Sequence, residues 1–475
     1  VLTDPTILPA VEQLRLLHRR EISSVELLEL HLERVRAWPE LNAVVAVDEE
    51  LATRDAARVD EARTKGHPLG RLAGLPMTIK DGWEVAGLVG TDGDPGLAGH
   101  VSPEDAPVCA TLRREGAVLF GKSNVPLHCA DAQTYNEVYG TTANPWDTTR
   151  SPGGSSGGAA AALAACQTPL DLGSDIAGSI RLPASWCGVY GLKTTFGLLP
   201  GTGHVPGTRR TAKDMAVPGP MARTAPDLAF LLEVLLGGDS STEAGNLEDF
   251  TGVSWIGTGF ETDDSVLAAL RPVVRTLAEA GLRVTDGAPP FDVDELRLSF
   301  YLLLSATTGP DLDDAAFAAV QRELADPSLS YIERASREGI VLEHRTWLRE
   351  HERRAWFRDQ IERLLPDERH VVLCPTVNLT AQPHDHSEPA QHRVVTVNGR
   401  SRNFYSVCDW NAIGSYTYLP ALSIPVGTAA NGLPVGLQVI GRRGADSALA
   451  AFACAVEEVL GPPPLLPRAT RRGGG

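Results

Sequence analysis

Apolar and polar positions recur along this chain with more than one rhythm, and the changes of rhythm lay out its architecture. Near the start, Val11, Leu14, Leu16 and Leu17, then Val25, Leu27, Leu28, Leu32 and Val35, return at close to the helical period. Two amphipathic helices are predicted between residues 9 and 36, with Ser23 or Ser24 placed to cap the second, and a third over 51–62. Short apolar runs at 77–80, 117–120, 170–172, 371–373 and 422–426 are bounded by Gly or Pro, as suits buried strands. Helical patterns at 225–236, 265–280, 311–324 and 342–365 lie among them. Strands alternating with helices predict an α/β fold. The polar, acidic stretch 237–250 reads as a surface connection.

Composition narrows the classes. At 475 residues the chain exceeds the size at which a single simple core stops growing, so length alone predicts two or three domains. Hydrophobic residues at 43% and charged residues at 22% mark an ordinary globular protein. Sixty acidic against 43 basic residues give a net charge of −17, which repels phosphate backbones and anionic membrane surfaces. Neither nucleic acid nor a membrane is expected as a partner. Seven cysteines without a C-x-x-C spacing read as reduced core thiols. No run approaches the ~18 apolar residues of a membrane span, and no secretory pattern opens the chain. A cytoplasmic location is expected, with a removed leader left open because the sequence starts at Val1. The tail 471–475 reads as a disordered end. His384 and His386 stand in a polar loop without further ligands at a recognised spacing, so no metal and no cofactor are expected.

The candidate chemistry sits in three short motifs. Lys80 closes the apolar run Leu75-Pro-Met-Thr-Ile, Ser155 and Ser156 lie in Gly-Gly-Ser-Ser-Gly-Gly, and Ser179 lies in Asp175-Ile-Ala-Gly-Ser-Ile-Arg181. Cleaving an amide needs a nucleophile, a proton carrier for the leaving amine and donors for the developing oxyanion. None of the twelve histidines falls inside these motifs. Lys80, Ser155 and Ser179, separated by 75 and 24 residues, are the groups on offer.

This arrangement resembles the amidase signature family over 69–200 and again over 419–441. The resemblance implies a single large α/β domain over 1–475, a central mixed β-sheet surrounded by helices. Residues 1–66 would form an N-terminal helical layer, 67–200 the catalytic core, 201–410 a variable substrate-pocket region and 411–465 a return to the core. It further implies that Ser179 attacks the carbonyl, Ser155 relays the proton after a cis peptide bond, and Lys80 receives it. Lys80 must then start neutral, against an ordinary pKa near 10.4, and burial in an apolar flank supplies such a shift. Backbone amides of Ile176, Ala177 and Gly178 would form the oxyanion hole, Ala177 standing where the family commonly has Gly. Asp175 and Arg181 would pair to order the loop, and Ser156 and Ser174 would extend the hydroxyl network. The segment Gly121-Lys-Ser-Asn-Val-Pro-Leu127 is similar to the family's G-K-T-N segment, but Leu127 replaces a common acidic residue. With His128 and Cys129 it is expected to form an apolar pocket wall.

Rival readings remain. Residues 154–158 formally satisfy G-x-S-x-G, the motif of α/β-hydrolases, yet His370, His384, His386 and His392 are nominated as its base by position alone. A glutamine-hydrolysing amidotransferase subunit belongs to the same family, but this chain reads Arg181-Leu-Pro-Ala184 where that subunit has RQPA. A non-catalytic docking subunit would be expected to have lost Lys80, Ser155 or Ser179. Phe300, Tyr301, Leu302, Tyr405, Trp410, Tyr416 and Tyr418 suit a pocket and a core equally. The expected activity is cleavage of a carboxamide C–N bond in small hydrophobic or aryl amides, with carbamates and esters alongside. The partner is a small-molecule amide or carbamate; the oligomeric state is open.

Overall fold

Ten strands share one sheet in the computed structural model, which describes residues 4–204, 211–238, 245–388 and 390–466. In chain order they are β1 (Pro76–Lys80), β2 (Val118–Ser123), β3 (Leu170–Asp175), β4 (Tyr190–Lys193), β5 (Val217–Ala222), β6 (Gly252–Trp255), β7 (Val284–Asp286), β8 (His370–Pro375), β9 (Ala421–Thr428) and β10 (Pro434–Ile440). Across the sheet they run β2-β1-β3-β5-β4-β9-β10-β8-β6-β7. Strand β1 is parallel to β2 and β3, the middle of the sheet is antiparallel, and β8, β6 and β7 are parallel again. The α/β fold with a central mixed sheet wrapped by helices is therefore what the chain adopts. Length alone points to two or three domains; one sheet assembled from residues as distant as Pro76 and Ile440 makes a single domain.

Local sequence explains most elements. All five residues of β1 are buried, as expected of a parallel strand covered on both faces. Ser23 and Glu26 close a capping box ahead of the helix Ser24–Arg36; this helix packs on β1, and Glu49–Thr64 packs on β2. The run Gly157–Ala164 is helical with every residue buried. Its Gly and Ala side chains let it lie against β1, β2, β3 and β5 together, and a helix apolar all round belongs inside. The run Val-Pro-Gly-Pro-Met-Ala has the composition of a turn, yet it forms β5. It is a strand at the centre of the sheet because Gly219 permits an approach in which a Cβ would sit 1.9 Å from the Leu192 carbonyl oxygen.

The variable region shares an apolar core with the returning segment. Val293–Ala306, Tyr331–Ile340 and His344–Glu362 are helices, and only the last is legible as such in the sequence. Phe300, Trp410 and Tyr416 are at most 1% exposed, so these three are core residues and line no open pocket. Five of the seven free cysteines are buried. Among the described residues no helix is long and apolar enough to cross a membrane. Leu247–Asp249 makes a 3-10 turn within the polar stretch 237–250; residues 239–244 and the tail 471–475 lie outside the described residues.

Candidate active site

Lys80, at the C-terminal end of β1, is wholly buried. Its Nζ donates to Ser155 Oγ at 2.6 Å and to the Ser174 carbonyl at 3.2 Å. Ser155 follows a cis peptide bond from Gly154, in the loop entering the helix Gly157–Ala164. At Gly158 a Cβ would stand 2.2 Å from the Asn124 amide, so only glycine lets this helix start against the 121–127 segment. Ser179 lies in the loop between β3 and the helix Arg181–Cys187; its carbonyl accepts from the Ser156 amide at 2.9 Å, tying the two serine loops together. Ser155 is 1% exposed and Ser179 9%: Ser155 is sealed, and Ser179 keeps a small opening. Burial pulls the Lys80 pKa below the ordinary lysine value, against the opposing pull of Cys129, Asp92, Asp175 and Asp171.

The Ser179 loop is wound around one carboxylate. Asp175 Oδ1 accepts from the Gly178 amide at 2.8 Å, and Oδ2 from the Ile180 amide at 3.1 Å. Arg181 pairs with Asp175 at 2.9 Å, both fully buried, and donates onward to the Asn411 carbonyl, Gln438 Oε1 and Ser415 Oγ. The returning segment 409–440 thereby holds the loop from behind. Burial raises the Asp175 pKa, but Arg181's charge and hydrogen bonds outweigh it and set it at about 2. A buried ion pair persists when its remaining donors and acceptors are met, and here they are. Gly178, at φ +114°, leaves no room for a Cβ, which would lie 2.8 Å from the Asn411 side chain. Of the three expected oxyanion donors, Gly178 has its amide committed to Asp175. Among the described residues, the amides of Ile176, Ala177 and Ser179 have no acceptor.

Ser156 Oγ donates to the Ser174 carbonyl at 3.3 Å. Ser174 Oγ meets His204 Nε2 at 2.8 Å, and His204 packs edge-on against Trp83 at 4.6 Å. Burial holds the His204 imidazole neutral, with a pKa of about 3. Sequence reasoning misses His204, which stands in Gly-Thr-Gly-His-Val-Pro without any motif spacing to mark it. It also misses Asp92, placed in a Gly-rich turn. The 127–129 wall is not simply apolar: Leu127 is 48% exposed, the His128 side chain is 55% exposed, and Cys129 donates its thiol inward to Asp92 Oδ1 at 3.1 Å. The reason is backbone: His128 and Cys129 both have positive φ, 53° and 55°, which turns the thiol away from the surface. Asn124 binds Thr142 Oγ1 at 3.0 Å and the Gly158 amide at 3.2 Å, a scaffold role. The histidines nominated for an α/β-hydrolase are engaged elsewhere: His370 meets Ser254, His386 stacks on Tyr135 and neighbours His384, and His392 faces Glu333. Among the described residues no group of His, Cys, Asp and Glu is arranged to hold a metal.

The family model Amidase matches residues 26–450. A glutamyl-tRNA(Gln) amidotransferase subunit of Salinispora arenicola (strain CNS-205) is 34% identical over 499 residues, covering 98% of this chain and 100% of the relative. A solved amidase superposes with a TM-score of 0.79 at 26% identity, over 96% of this chain and all of that one. A 6-aminohexanoate cyclic dimer hydrolase does so with a TM-score of 0.77 at 27% identity, over 97% of this chain and 98% of the other. Matched across most of its length and aligned end to end with its relatives, this chain belongs to the amidase family, the amidase signature hydrolases.

Proposed function

We propose that this protein is an amidohydrolase in which Ser179 is the nucleophile, Ser155 the relay and Lys80 the base. The observation that carries the reading is the 2.6 Å contact from Lys80 Nζ to Ser155 Oγ, in a site where burial disfavours the ammonium form. Ser179 Oγ bonds to the carbonyl carbon while its proton passes to Ser155 and the Ser155 proton passes to Lys80. The oxyanion is met by the acceptor-free amides of Ile176, Ala177 and Ser179. Collapse breaks the C–N bond, and Lys80 returns its proton through Ser155 to the leaving amine. Water then hydrolyses the acyl-enzyme by the same route. No metal or organic cofactor enters these steps, so a chelator should leave turnover intact.

The substrate reading is a small hydrophobic or aryl amide. Ile176 and Ala177 pack on the apolar cluster that also receives Phe196, Trp347 and Tyr405, which favours an apolar group beside the scissile bond. Carbamates and esters present the same carbonyl to the same donors, and their cleavage is part of the proposal. The test combines intact-mass analysis after a fluorophosphonate probe, on wild type and Ser179→Ala, with hydrolysis of matched anilide, carbamate and ester substrates. One adduct, lost in the variant, together with anilide turnover supports the reading; a folded protein showing neither removes it.

Full-length similarity to a glutamyl-tRNA(Gln) amidotransferase subunit favours a second reading, a glutamine-hydrolysing member of a multi-subunit enzyme. The Leu182 that stands in place of the RQPA glutamine argues against it. Glutamine turnover that appears only with added partner subunits, without anilide turnover, would select this second reading. Both readings suit a cytoplasmic protein.

A further inference from the structure

Beside the Lys80–Ser155 pair lies a second polar chain that the amide-cleaving steps leave unused. Asp92 is wholly buried. Its Oδ1 accepts the Cys129 thiol at 3.1 Å, while Oδ2 makes no hydrogen bond and faces His128 Nδ1 at 3.6 Å, an ion-pair separation. Thr91, the residue before Asp92, bonds through its amide and hydroxyl to Asp81, the residue after Lys80, which ties the two segments together. Asp92, His128 and Cys129 all hold positive φ, at 50°, 53° and 55°. Left-handed backbone at three non-glycine residues is unfavourable and persists where the surroundings demand it. Its effect here is to aim a thiol and an imidazole at one carboxylate. A buried carboxylate with half its acceptor capacity empty is expensive to keep, so packing alone does not account for it.

We infer that Asp92, with Cys129 and His128 as its positioning partners, is an electrostatic regulator of Lys80 that sets the pH at which the Lys80–Ser155 pair becomes ready to take a proton. The inference rests on the Ser179–Ser155–Lys80 reading and deepens it. An unbalanced Asp92 carboxylate favours the ammonium form of Lys80 and so delays activation as pH rises. Protonation of His128 balances that carboxylate. With His128 protonated the pull on Lys80 weakens, which favours the neutral lysine at lower pH. Because His128 is largely exposed, it reports bulk pH to a lysine with no exposure of its own. The groups acting on His128 are Asp92, Asp94 and Lys213, and Asp92 raises its pKa above the ordinary histidine value. Those acting on Lys80 are Cys129, Asp92, Asp175 and Asp171; Asp92 also acts on His204. Only the Asp92–His128 pair joins the lysine to an exposed titrating group among these.

The test is the pH profile of Ser179 labelling by the fluorophosphonate probe, and of anilide kcat/KM, in the full-length protein. Asp92→Asn removes the carboxylate charge and should move the acid limb to lower pH by about one unit. His128→Gln removes the balancing charge and should move it the other way, to higher pH. A merely structural role would lower rates at every pH and leave the limbs together. Coincident limbs in a labelled, active wild type and His128→Gln would overturn the inference while sparing the triad. Absence of labelling in folded wild type would remove the triad and this inference with it. Should Asp92→Asn fail to fold, His128→Gln, a change at an exposed side chain, decides the question.

Discussion

The serine loops, which are buried, and the helix His344–Glu362, which buries four of its nineteen residues, are held by different forces. Around Ser155 and Ser179 almost every constraint is polar: one carboxylate, Asp175, receives the amides of Gly178 and Ile180 as well as Arg181. Around His344–Glu362 the constraint is mainly apolar shape, with an ion pair from the buried Arg354 to Asp214 at 2.7 Å. Phe357 and Ile361 are fully buried, and Phe357 meets Phe291 and Tyr416 edge-on at 5.1 and 5.7 Å. A polar network fails when one donor is lost, whereas an apolar core accepts many sequences of suitable volume. The first kind of order writes itself into sequence as a motif; the second leaves only periodicity.

The largest way to sharpen this contrast is at Ser179. Ser179→Ala should lower anilide kcat by on the order of 10³-fold or more, leaving the residual catalysis of the oxyanion donors. Its thermal midpoint should stay at the wild-type value, because the Ser179 carbonyl, not its hydroxyl, carries the bond to Ser156. A fall in the midpoint with retained activity would reverse the assignment.

Next in size, the two regions can be set against each other directly. Arg181→Ala strands Asp175 as an uncompensated buried charge and should destabilise by about 3–5 kcal/mol. Phe357→Ala leaves a cavity and should also lose about 3–5 kcal/mol. Urea midpoints are expected to fall alike, while kcat separates them: strongly reduced for Arg181→Ala, because the oxyanion loop loosens, and within about threefold of wild type for Phe357→Ala, measured well below its midpoint. Equal kcat losses in the two variants would show that the cores do not differ as described.

The same contrast explains what the sequence discloses. Lys80, Ser155, Ser179, Asp175 and Arg181 are legible because each sits in a short motif whose neighbours meet a backbone demand. Gly158 and Gly178 occupy places where a Cβ has no room. His204 and Asp92 reach the site from loops without periodicity, and only folding brings His204 to Ser174. The helix Ala225–Leu236, apolar nearly all round and mostly buried, is readable to the residue. The helix Arg181–Cys187 spans only seven residues, too few to establish a period, and β5 carries prolines that signal a turn until its sheet neighbours are known.

The smallest expected effect is the one that separates a functional lysine from a structural one. Lys80 has a folded-state pKa below its unfolded value because burial opposes the ammonium. Between those two values the unfolded chain binds the extra proton, so stability rises with pH up to about 10.4 and is lost as pH falls through the folded value. Lys80→Met keeps an unbranched side chain of similar length and removes this penalty, while giving up the donor to Ser155 and Ser174, worth about 1 kcal/mol. The variant should be inactive yet more stable than wild type near pH 7 by about 1 kcal/mol, the usual sign of a site residue kept at the expense of stability. The gain should shrink toward pH 10, where the wild-type lysine no longer prefers the unfolded state. A loss of stability in Lys80→Met at every pH would instead make Lys80 a prop for the serine loops, and the polar region would then be ordered for folding alone.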